Sequence, residues 1–220
     1  MSVDLCPICD GQGWTLTDDG AAPCECQRAA RRATRIALAE ATITDRYRRC
    51  SRANWDTNRA PWPLDSECDS WPAEPGRDPW ALVLLGERGV GKTHVATARF
   101  RELAAARERR SALWISHDEI VECSKAEIRG ERRNSIEREL GQVELLLLDD
   151  VGRTRATPHS IELIRAALYL RHARLLPTIL TSNARALDDF DAFDPALSSR
   201  LHEGTMVFVV GGADQRRRVA

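Results

Sequence analysis

The stretch "LLGERGVGKTH", residues 84–94, decides which fold the sequence predicts. An apolar run, "ALVLL" at 81–85, leads into it, and a helix-forming run without glycine or proline follows it from residue 92 to 109. A buried strand, a glycine-rich turn and a helix in this order are typical of an α/β unit. Lysine occurs in the chain only at Lys92 and Lys125 among 32 basic residues, so its position in this turn indicates a chemical need that arginine does not meet.

The glycine-rich turn fits the pattern G-x-x-x-x-G-K-[ST]. Glycines let backbone N–H groups converge on phosphate oxygens, and the following helix turns its positive end toward them. Lys92 would place one compact charge on the β- and γ-phosphates, and the Thr93 hydroxyl would hold Mg²⁺. A chance match in a flexible loop would lack the flanking strand and helix, so we predict that ATP and Mg²⁺ bind here. The candidate residues are Gly86, Glu87, Arg88, Gly89, Val90, Gly91, Lys92, Thr93 and His94.

Three further segments carry candidate catalytic residues. The apolar run "VELLLLDDVG", residues 143–152, ends in Asp149, predicted to bind the nucleotide-bound Mg²⁺ through water, and Asp150, predicted to orient or deprotonate the attacking water. Asn183, which follows "TILTS", is either a turn residue or a contact of the γ-phosphate and this water. Arg200, in "DPALSSRLHEG" at 194–204, could stabilise the transferred phosphoryl group from a neighbouring subunit.

From residue 80 onward, short apolar runs alternate with helical segments. We predict strands at 81–85, 112–116, 143–149, 178–182 and 206–210, and helices at 92–109, 118–140 with a break near Gly130, 158–175 and 195–203. Strands that are apolar throughout are buried on both faces. The pattern therefore predicts an α/β fold whose parallel sheet carries helices on both faces.

Four of the seven cysteines lie in the first 26 residues, as Cys6, Cys9, Cys24 and Cys26. Their spacing, C-x2-C-x14-C-x-C, places two close pairs where four thiolates could bind one tetrahedral Zn²⁺. A bound metal would supply folding energy that so short a segment cannot obtain from a core. We predict a small zinc module; an iron–sulfur cluster and a redox-active dithiol pair remain the alternatives.

The composition along the chain suggests three parts: a zinc-binding adaptor with a basic helix at 1–50, a connector rich in tryptophan and proline at 51–79, and an ATPase domain at 80–220. Between residues 28 and 52, in the adaptor and at the start of the connector, the chain carries eight arginines against two acidic residues, which indicates a solvated helix face or a contact with nucleic acid or an acidic partner. The prolines exclude a long helix from the connector, and we expect its tryptophans to pack on the neighbouring domain. No apolar run has the length of a membrane span and no secretory signal is present, so we expect a cytoplasmic protein without membrane contact.

Together the motifs "GERGVGKTH", "LLLLDDVG", "ILTSN" and "LSSRL" resemble the AAA+ ATPases of the DnaC/DnaI helicase-loader and IstB transposition-helper group, over residues 80–210. The resemblance implies a P-loop NTPase domain with a five-stranded parallel sheet of order 5-1-4-3-2. It also implies that Asn183 is sensor 1, that Arg200 is an arginine finger acting across a subunit interface, and that Arg216 is a sensor 2 that contacts the nucleotide. Asp150 stands where the wider class has glutamate, which implies slow or partner-dependent hydrolysis.

Loaders of the DnaI type are similar in layout, with a zinc-binding adaptor that contacts a partner ahead of the ATPase domain. The leading hypothesis is therefore an ATP-dependent loader that binds a hexameric replicative DNA helicase and single-stranded DNA and self-associates through Arg200. One alternative is an IstB-like transposition helper ATPase on duplex DNA. Another is a nucleotide-gated DNA- or protein-binding module with little turnover, which the short side chain of Asp150 would favour.

Overall fold

The computed structural model describes residues 6–58, 71, 73–106, 111–132, 134–152, 157–192 and 194–215. A two-stranded antiparallel hairpin and a long helix come first, and a five-stranded parallel sheet with helices on both faces follows. The first part consists of β1 (Trp14–Thr17), β2 (Gly20–Pro23) and α1 (Glu25–Thr42). The sheet consists of β3 (Ala81–Leu85), β4 (Ala112–Ser116), β5 (Leu145–Val151), β6 (Thr178–Ser182) and β7 (Thr205–Val209). Its helices are α2 (Lys92–Ala106), α3 (His117–Ile128), α4 (Ile136–Gln142), α5 (Pro158–Ala173) and α6 (Pro195–His202).

The strands of the larger sheet lie in the order β4-β5-β6-β3-β7, and every neighbouring pair is parallel. Counted in chain order from β3 and taken from the opposite edge, this is the order 5-1-4-3-2. The predicted α/β class, the P-loop NTPase architecture and this strand order are therefore confirmed.

Alternation along the central strands divides the core into two layers, because successive side chains of a strand point to opposite faces. In β5, Leu146 and Leu148 pack on one face with α3 to α6, and Leu145 and Leu147 pack on the other with α1 and α2. All four leucines are fully buried. A strand that is apolar at consecutive positions is thus explained by helices on both faces.

Element boundaries differ from the prediction where local geometry departs from a regular pattern. The strand predicted at 143–149 runs from Leu145 to Val151, because a register shift lies between Leu148 and Val151 and lets the strand continue past the aspartates. The predicted break near Gly130 is present and separates α3 from α4. The helix predicted to end at 109 is described only to Ala106.

Helix α1 packs on the same face of the sheet as α2. Ala39 and the next residue after the helix, Ile43, are buried in that core layer. The Arg101 guanidinium on α2 donates a 2.6 Å hydrogen bond to Glu40, and the guanidinium of Arg32 donates to the carbonyl oxygen of Ala105. Arg32, one of the arginines of the predicted basic helix, therefore contacts α2.

Trp55, Trp71 and Trp80 are buried. The indole of Trp71 donates to the Pro79 carbonyl at 2.7 Å, and that of Trp80 donates to the Glu203 carbonyl at 3.0 Å. Trp62, the other tryptophan of the predicted connector besides Trp55 and Trp71, lies outside the described residues. Within the described part of the chain, no helix combines the length and the apolar character that crossing a membrane requires.

Candidate functional site

Lys92 begins α2 and belongs to the P-loop, which we define as residues 86–93. Its side chain is buried, and the ammonium donates to the carbonyl oxygens of Gly86 at 2.8 Å and Glu87 at 2.7 Å and to Asn183 Oδ1 at 3.0 Å. An ammonium has three N–H donors in a compact tripod, whereas a guanidinium spreads its donors over a plane. This geometry gives a physical reason for lysine at position 92, in a chain whose basic residues are arginine at every position except 92 and 125.

Two glycines of the P-loop are required by close contacts as well as by backbone conformation. Gly86 has φ 137° and Gly91 has φ 101°, values that side chains of L-residues rarely adopt. A Cβ atom at Gly86 would lie 2.2 Å from the Val210 carbonyl oxygen, and one at Gly91 would lie 2.5 Å from Cη2 of Trp55. The P-loop backbone thus lies in close contact with Val210, directly after β7, at Gly86 and with Trp55 at Gly91.

The paired aspartates lie at the carboxyl end of β5, beside Thr181 of β6. Asp149 is 5% exposed, and burial raises the pKa of its carboxyl, while hydrogen bonds from Thr181 and Thr93 act in the opposite direction. The hydroxyl of Thr181 donates to Asp149 Oδ1 at 2.6 Å and accepts from the backbone N–H of Asp150 at 2.9 Å. Thr181 therefore connects the two acids, one through its side chain and the other through its backbone.

Asp150 has φ 60°, a left-handed conformation that aspartate tolerates better than most residues. Its carboxylate accepts a 2.6 Å hydrogen bond from the side-chain amide of Asn183. The same amide accepts from Lys92 through its oxygen, so Asn183 contacts both the lysine of the P-loop and the second acid of β5. An amide in this position could orient a water molecule or a phosphate oxygen between the two groups.

A cavity of about 600 Å³ opens between these groups at the carboxyl edge of the sheet. Of the residues predicted from the motifs, it is lined by Arg88, Gly89, Gly91, Lys92, Thr93, His94, Asp149, Asp150 and Asn183. The carbonyl oxygens of Gly86 and Glu87 instead hold Lys92, and the Val90 side chain is buried in the core. Nine predicted residues thus share one cavity of a size that suits a nucleotide.

Arg200 does not line this cavity. The Arg200 guanidinium stacks on Tyr169, with 3.9 Å between its Cζ atom and the ring centroid, and donates to the carbonyl oxygen of Ala196. Tyr169 in turn donates from its hydroxyl to Asp194, the residue that caps α6. Arg216 lies outside the described residues, although its neighbour Gln215 lines the cavity and donates from its backbone to the Gly89 carbonyl.

Sequence reasoning missed several residues of the cavity wall. Thr181 had a detectable signal, because a polar residue in an otherwise apolar buried strand needs a hydrogen-bond partner. The others are Thr44, Arg46, Tyr47, Trp114, Ser116, His117, Asp118, Glu119 and Gln215. Thr44, Arg46 and Tyr47 follow α1 and reach the cavity through long-range packing, for which a local pattern gives no signal.

The cysteine module, residues 6–26, brings four sulfur atoms within 4.8 Å of one another, from Cys6, Cys9, Cys24 and Cys26. The Cys6–Cys24 and Cys9–Cys26 sulfur pairs are 3.9 Å and 3.5 Å apart. A tetrahedral zinc site with Zn–S bonds of about 2.3 Å has sulfur atoms about 3.8 Å apart, so the donor set fits this ion.

The thiols of the module differ in acidity. Backbone N–H groups of Ile8 and Cys9 lower the pKa of Cys6 to about 7, whereas the sulfur atoms of Cys9 and Cys24 raise the pKa of Cys26 to about 12. Four thiolates in such proximity repel one another and need a cation to balance their charge. The cluster therefore has the chemistry of a structural metal site.

Comparison with known proteins agrees with the fold and identifies a family of ATP-binding proteins. The family model for IstB-like ATP binding protein matches residues 77–206. A protein described as ATP-binding in insertion sequence IS232 of Bacillus thuringiensis subsp. berliner is 33% identical over 137 residues, which are 59% of this chain and 53% of that protein. The chain thus spans about half the length of this curated relative.

Two solved structures share the architecture. The crystal structure of the DnaC helicase loader superposes with a TM-score of 0.61 at 20% identity, over 76% of this chain and 100% of that one. The crystal structure of DnaI superposes with a TM-score of 0.60 at 22% identity, over 81% and 99% of the two chains. At these identities the likeness concerns the fold.

Proposed function

The chain belongs to the IstB-like ATP binding protein family, and we propose that it is an ATP-dependent loader of a replicative DNA helicase. One observation carries this proposal: a single continuous helix, α1, joins the four-cysteine cluster to the wall of the P-loop cavity. A chain of this design can bind a partner at one end and ATP at the other.

The surface of the cysteine module supports a protein partner. Ile8, Trp14 and Leu16 expose 64%, 50% and 90% of their surface, although the module is too small to spare apolar residues from a core. Exposed tryptophan is a frequent anchor of protein interfaces. We assign this surface to the helicase, with Zn²⁺ bound by Cys6, Cys9, Cys24 and Cys26 and keeping the module folded.

In the ATP site, the P-loop N–H groups and Lys92 would bind the phosphates, and Thr93 with Asp149 would hold Mg²⁺. The ion would neutralise charge on the β- and γ-phosphate oxygens. Asp150 accepts the proton of the attacking water, and the amide of Asn183 orients that water between Asp150 and the terminal phosphate. Arg216, by position, is the candidate for a further contact with the nucleotide.

Arg200 acts on the nucleotide of a neighbouring subunit in this proposal, because in its own chain it stacks on Tyr169 rather than lining the cavity. Mixing two inactive variants tests the arrangement. Lys92→Ala chains lack a functional ATP site but can still donate Arg200, and Arg200→Ala chains lack the donor alone. A mixture that recovers hydrolysis supports the assignment, and one as inactive as either variant contradicts it.

The decisive experiment on the proposed function is complex formation with the hexameric replicative helicase of the source organism. We expect co-elution in size-exclusion chromatography with ATP, and loss of the complex for Trp14→Ala with the zinc content unchanged. Arg185→Ala, an exposed change remote from the cysteine module in sequence, is the matched control. The absence of a complex with ATP, with ADP and without nucleotide would contradict a loader.

A second candidate function rests on the 33% identity to the insertion-sequence protein. It is a transposition helper that assembles on duplex DNA. Affinities for single-stranded and double-stranded DNA of equal length, measured with ATP, separate the two functions. A preference for the single strand supports the loader, and a strong preference for the duplex supports the helper.

A third candidate, a nucleotide-gated binding module with little turnover, is favoured by Asp150, whose side chain is one methylene shorter than glutamate and is already bound to Asn183. Steady-state phosphate release with single-stranded DNA present tests it. Release that falls to background in Lys92→Ala identifies an ATPase, whereas release that the substitution does not lower identifies the module.

A further inference from the structure

The segment directly after α1, residues 43–47, forms part of the wall of the ATP cavity. Thr44, Arg46 and Tyr47 line the same cavity as Lys92 and Asp150. None of the sequence motifs includes this segment, which lies about 40 residues before the P-loop. It thus brings a second guanidinium, besides that of Arg88, to a cavity built mainly from the P-loop and the carboxyl ends of the sheet strands.

The backbone of this segment is fixed by packing on β4. The Thr42 hydroxyl accepts from the backbone N–H of Trp114 at 2.9 Å, and the Tyr47 ring packs against the Trp114 ring with 5.8 Å between centroids. Ile43, between these two contacts, is 1% exposed. Arg46 therefore extends from an anchored turn, and its freedom is that of its side chain alone.

The neighbouring Arg48 has other contacts. Arg48 forms a 2.8 Å ion pair with Asp45 and donates to the Ile43 carbonyl, so its charge stabilises the turn itself. Arg46 is exposed, and within the part of the chain that the structure describes it forms no ion pair; its guanidinium lies 5.9 Å from the Tyr47 ring centroid. Its charge is therefore available to an anion in the cavity.

The charges of the cavity wall favour this use. Asp118, Glu119, Asp149 and Asp150 line it, so a triphosphate that enters needs more positive charge than Lys92 and Arg88 supply. A guanidinium can bind two phosphate oxygens at once through parallel N–H donors. We propose that Arg46 binds the terminal phosphate of ATP within its own chain, which makes the end of α1 a sensor of ATP as opposed to ADP.

This inference rests on the proposed ATP site and adds a residue to it. Arg46 differs from Arg200, which would act on a neighbouring subunit, because its effect does not depend on assembly. It should be measurable at protein concentrations at which the chain is a monomer.

The test compares ATP and ADP affinity by calorimetry for wild type, Arg46→Ala and Arg49→Ala, each as the full chain with Mg²⁺ and verified as monomeric. Arg49 is the matched control, because it is exposed, lies three residues further along the chain, just past this segment, and does not line the cavity. We expect Arg46→Ala to weaken ATP binding about tenfold or more and to change ADP binding less than about twofold, and Arg49→Ala to change neither.

Two results would overturn the inference. An unchanged ratio of ATP to ADP affinity in Arg46→Ala would remove the role at the terminal phosphate; this includes an equal loss for both nucleotides, which misfolding or a contact with the base would also produce. An equal effect of Arg49→Ala would mean that the loss of ATP affinity reflects the removal of any nearby positive charge and not a contact made by Arg46. If wild type binds neither nucleotide, the proposed ATP site itself fails, and this outcome is distinct from the others.

Discussion

The ammonium of Lys92 donates a 3.0 Å hydrogen bond to the side-chain oxygen of Asn183, a residue 91 positions further along the chain. The nitrogen of that amide donates to Asp150, so its orientation is fixed at both ends. The P-loop, β5 and the residue directly after β6 each contribute one member of this chain of three polar groups. The arrangement requires the strand order of the sheet, because β6 lies between β3 and β5.

Replacing Asn183 by alanine removes both hydrogen bonds of the amide. We expect ATP hydrolysis to fall about 100-fold, as is usual when one preorganised hydrogen-bonding group is lost from an active site, and ATP affinity to change far less. Single-turnover hydrolysis and calorimetry measure the two effects separately. Asn134→Ala, at an exposed position, is the control, and a variant that hydrolyses ATP at the wild-type rate would exclude the amide from catalysis.

Replacing Thr181 by valine keeps the side-chain shape and removes the hydroxyl that connects the two aspartates. Burial raises the pKa of Asp149, and the Thr181 hydrogen bond lowers it. Cations bind the ionised carboxylate, so Mg²⁺-dependent ATP binding should weaken as the pH falls through this raised pKa. Thr181→Val should raise the pKa of Asp149 further, so Mg²⁺-dependent ATP binding should be lost at a higher pH than in wild type.

The measurement is the pH profile of ATP affinity at a fixed, limiting Mg²⁺ concentration. Thr34→Val, at an exposed position of α1, should leave the profile at its wild-type position. A profile that Thr181→Val leaves in place, or shifts to lower pH, would show that the hydroxyl does not favour the ionised acid.

Arg171 is completely buried, and its guanidinium donates to the carbonyl oxygens of Leu140, Val143 and Pro177 and to the Thr178 hydroxyl. These bonds join the end of α5 to the start of β6 and to α4. Arg171→Met would leave three carbonyls without their donor, and we expect the free energy of unfolding to fall by about 3 kcal/mol.

Chemical denaturation measures this difference in stability. Arg174→Met changes the same residue type at an exposed position just beyond α5 and should alter stability by less than about 0.5 kcal/mol. Equal stability of the two variants would mean that the buried guanidinium contributes no more than an apolar side chain of similar length.

The cysteine module should hold about one zinc ion per chain, by elemental analysis of protein purified without chelator. Cys24→Ser removes one of the four sulfur ligands, and we expect it to lose the metal together with the circular-dichroism signal of the adjacent helix turns. Cys123→Ser, outside the cluster, should retain the metal.

Because the unliganded thiols of Cys6 and Cys26 have pKa values of about 7 and 12, zinc binding should release protons and weaken as the pH falls. Iron, or a metal content equal in the two variants, would refute the assignment.

Much of the fold could be predicted because its signals are local. The continuous apolar runs of β3 and β5 indicate strands buried on both faces, and the P-loop links the first of them to a helix. The extension of β5 past Asp149 could not be predicted, because it depends on the left-handed backbone of Asp150 and on a register shift against β6. Neither feature has a pattern in the sequence.

The candidate site divides in the same way. Lys92, Asp149, Asp150 and Asn183 were predicted from strand ends that a parallel sheet brings to one edge. The packing of Trp55 on Gly91 and of Tyr47 on Trp114 joins residues 36 and 67 positions apart, and a single sequence holds no record of such pairs. The role of Arg200 depends on a second subunit and therefore remains a prediction.

Cys26 lies in the first turn of α1 and Thr42 is its last residue, so no hinge separates the sulfur cluster from the nucleotide cavity. An 18-residue helix is a stiff rod about 27 Å long. A pull or twist applied at one end is transmitted to the other without slack. A partner that binds the cysteine module would therefore be mechanically coupled, through α1, to Thr44 and Arg46 in the wall of the proposed ATP cavity.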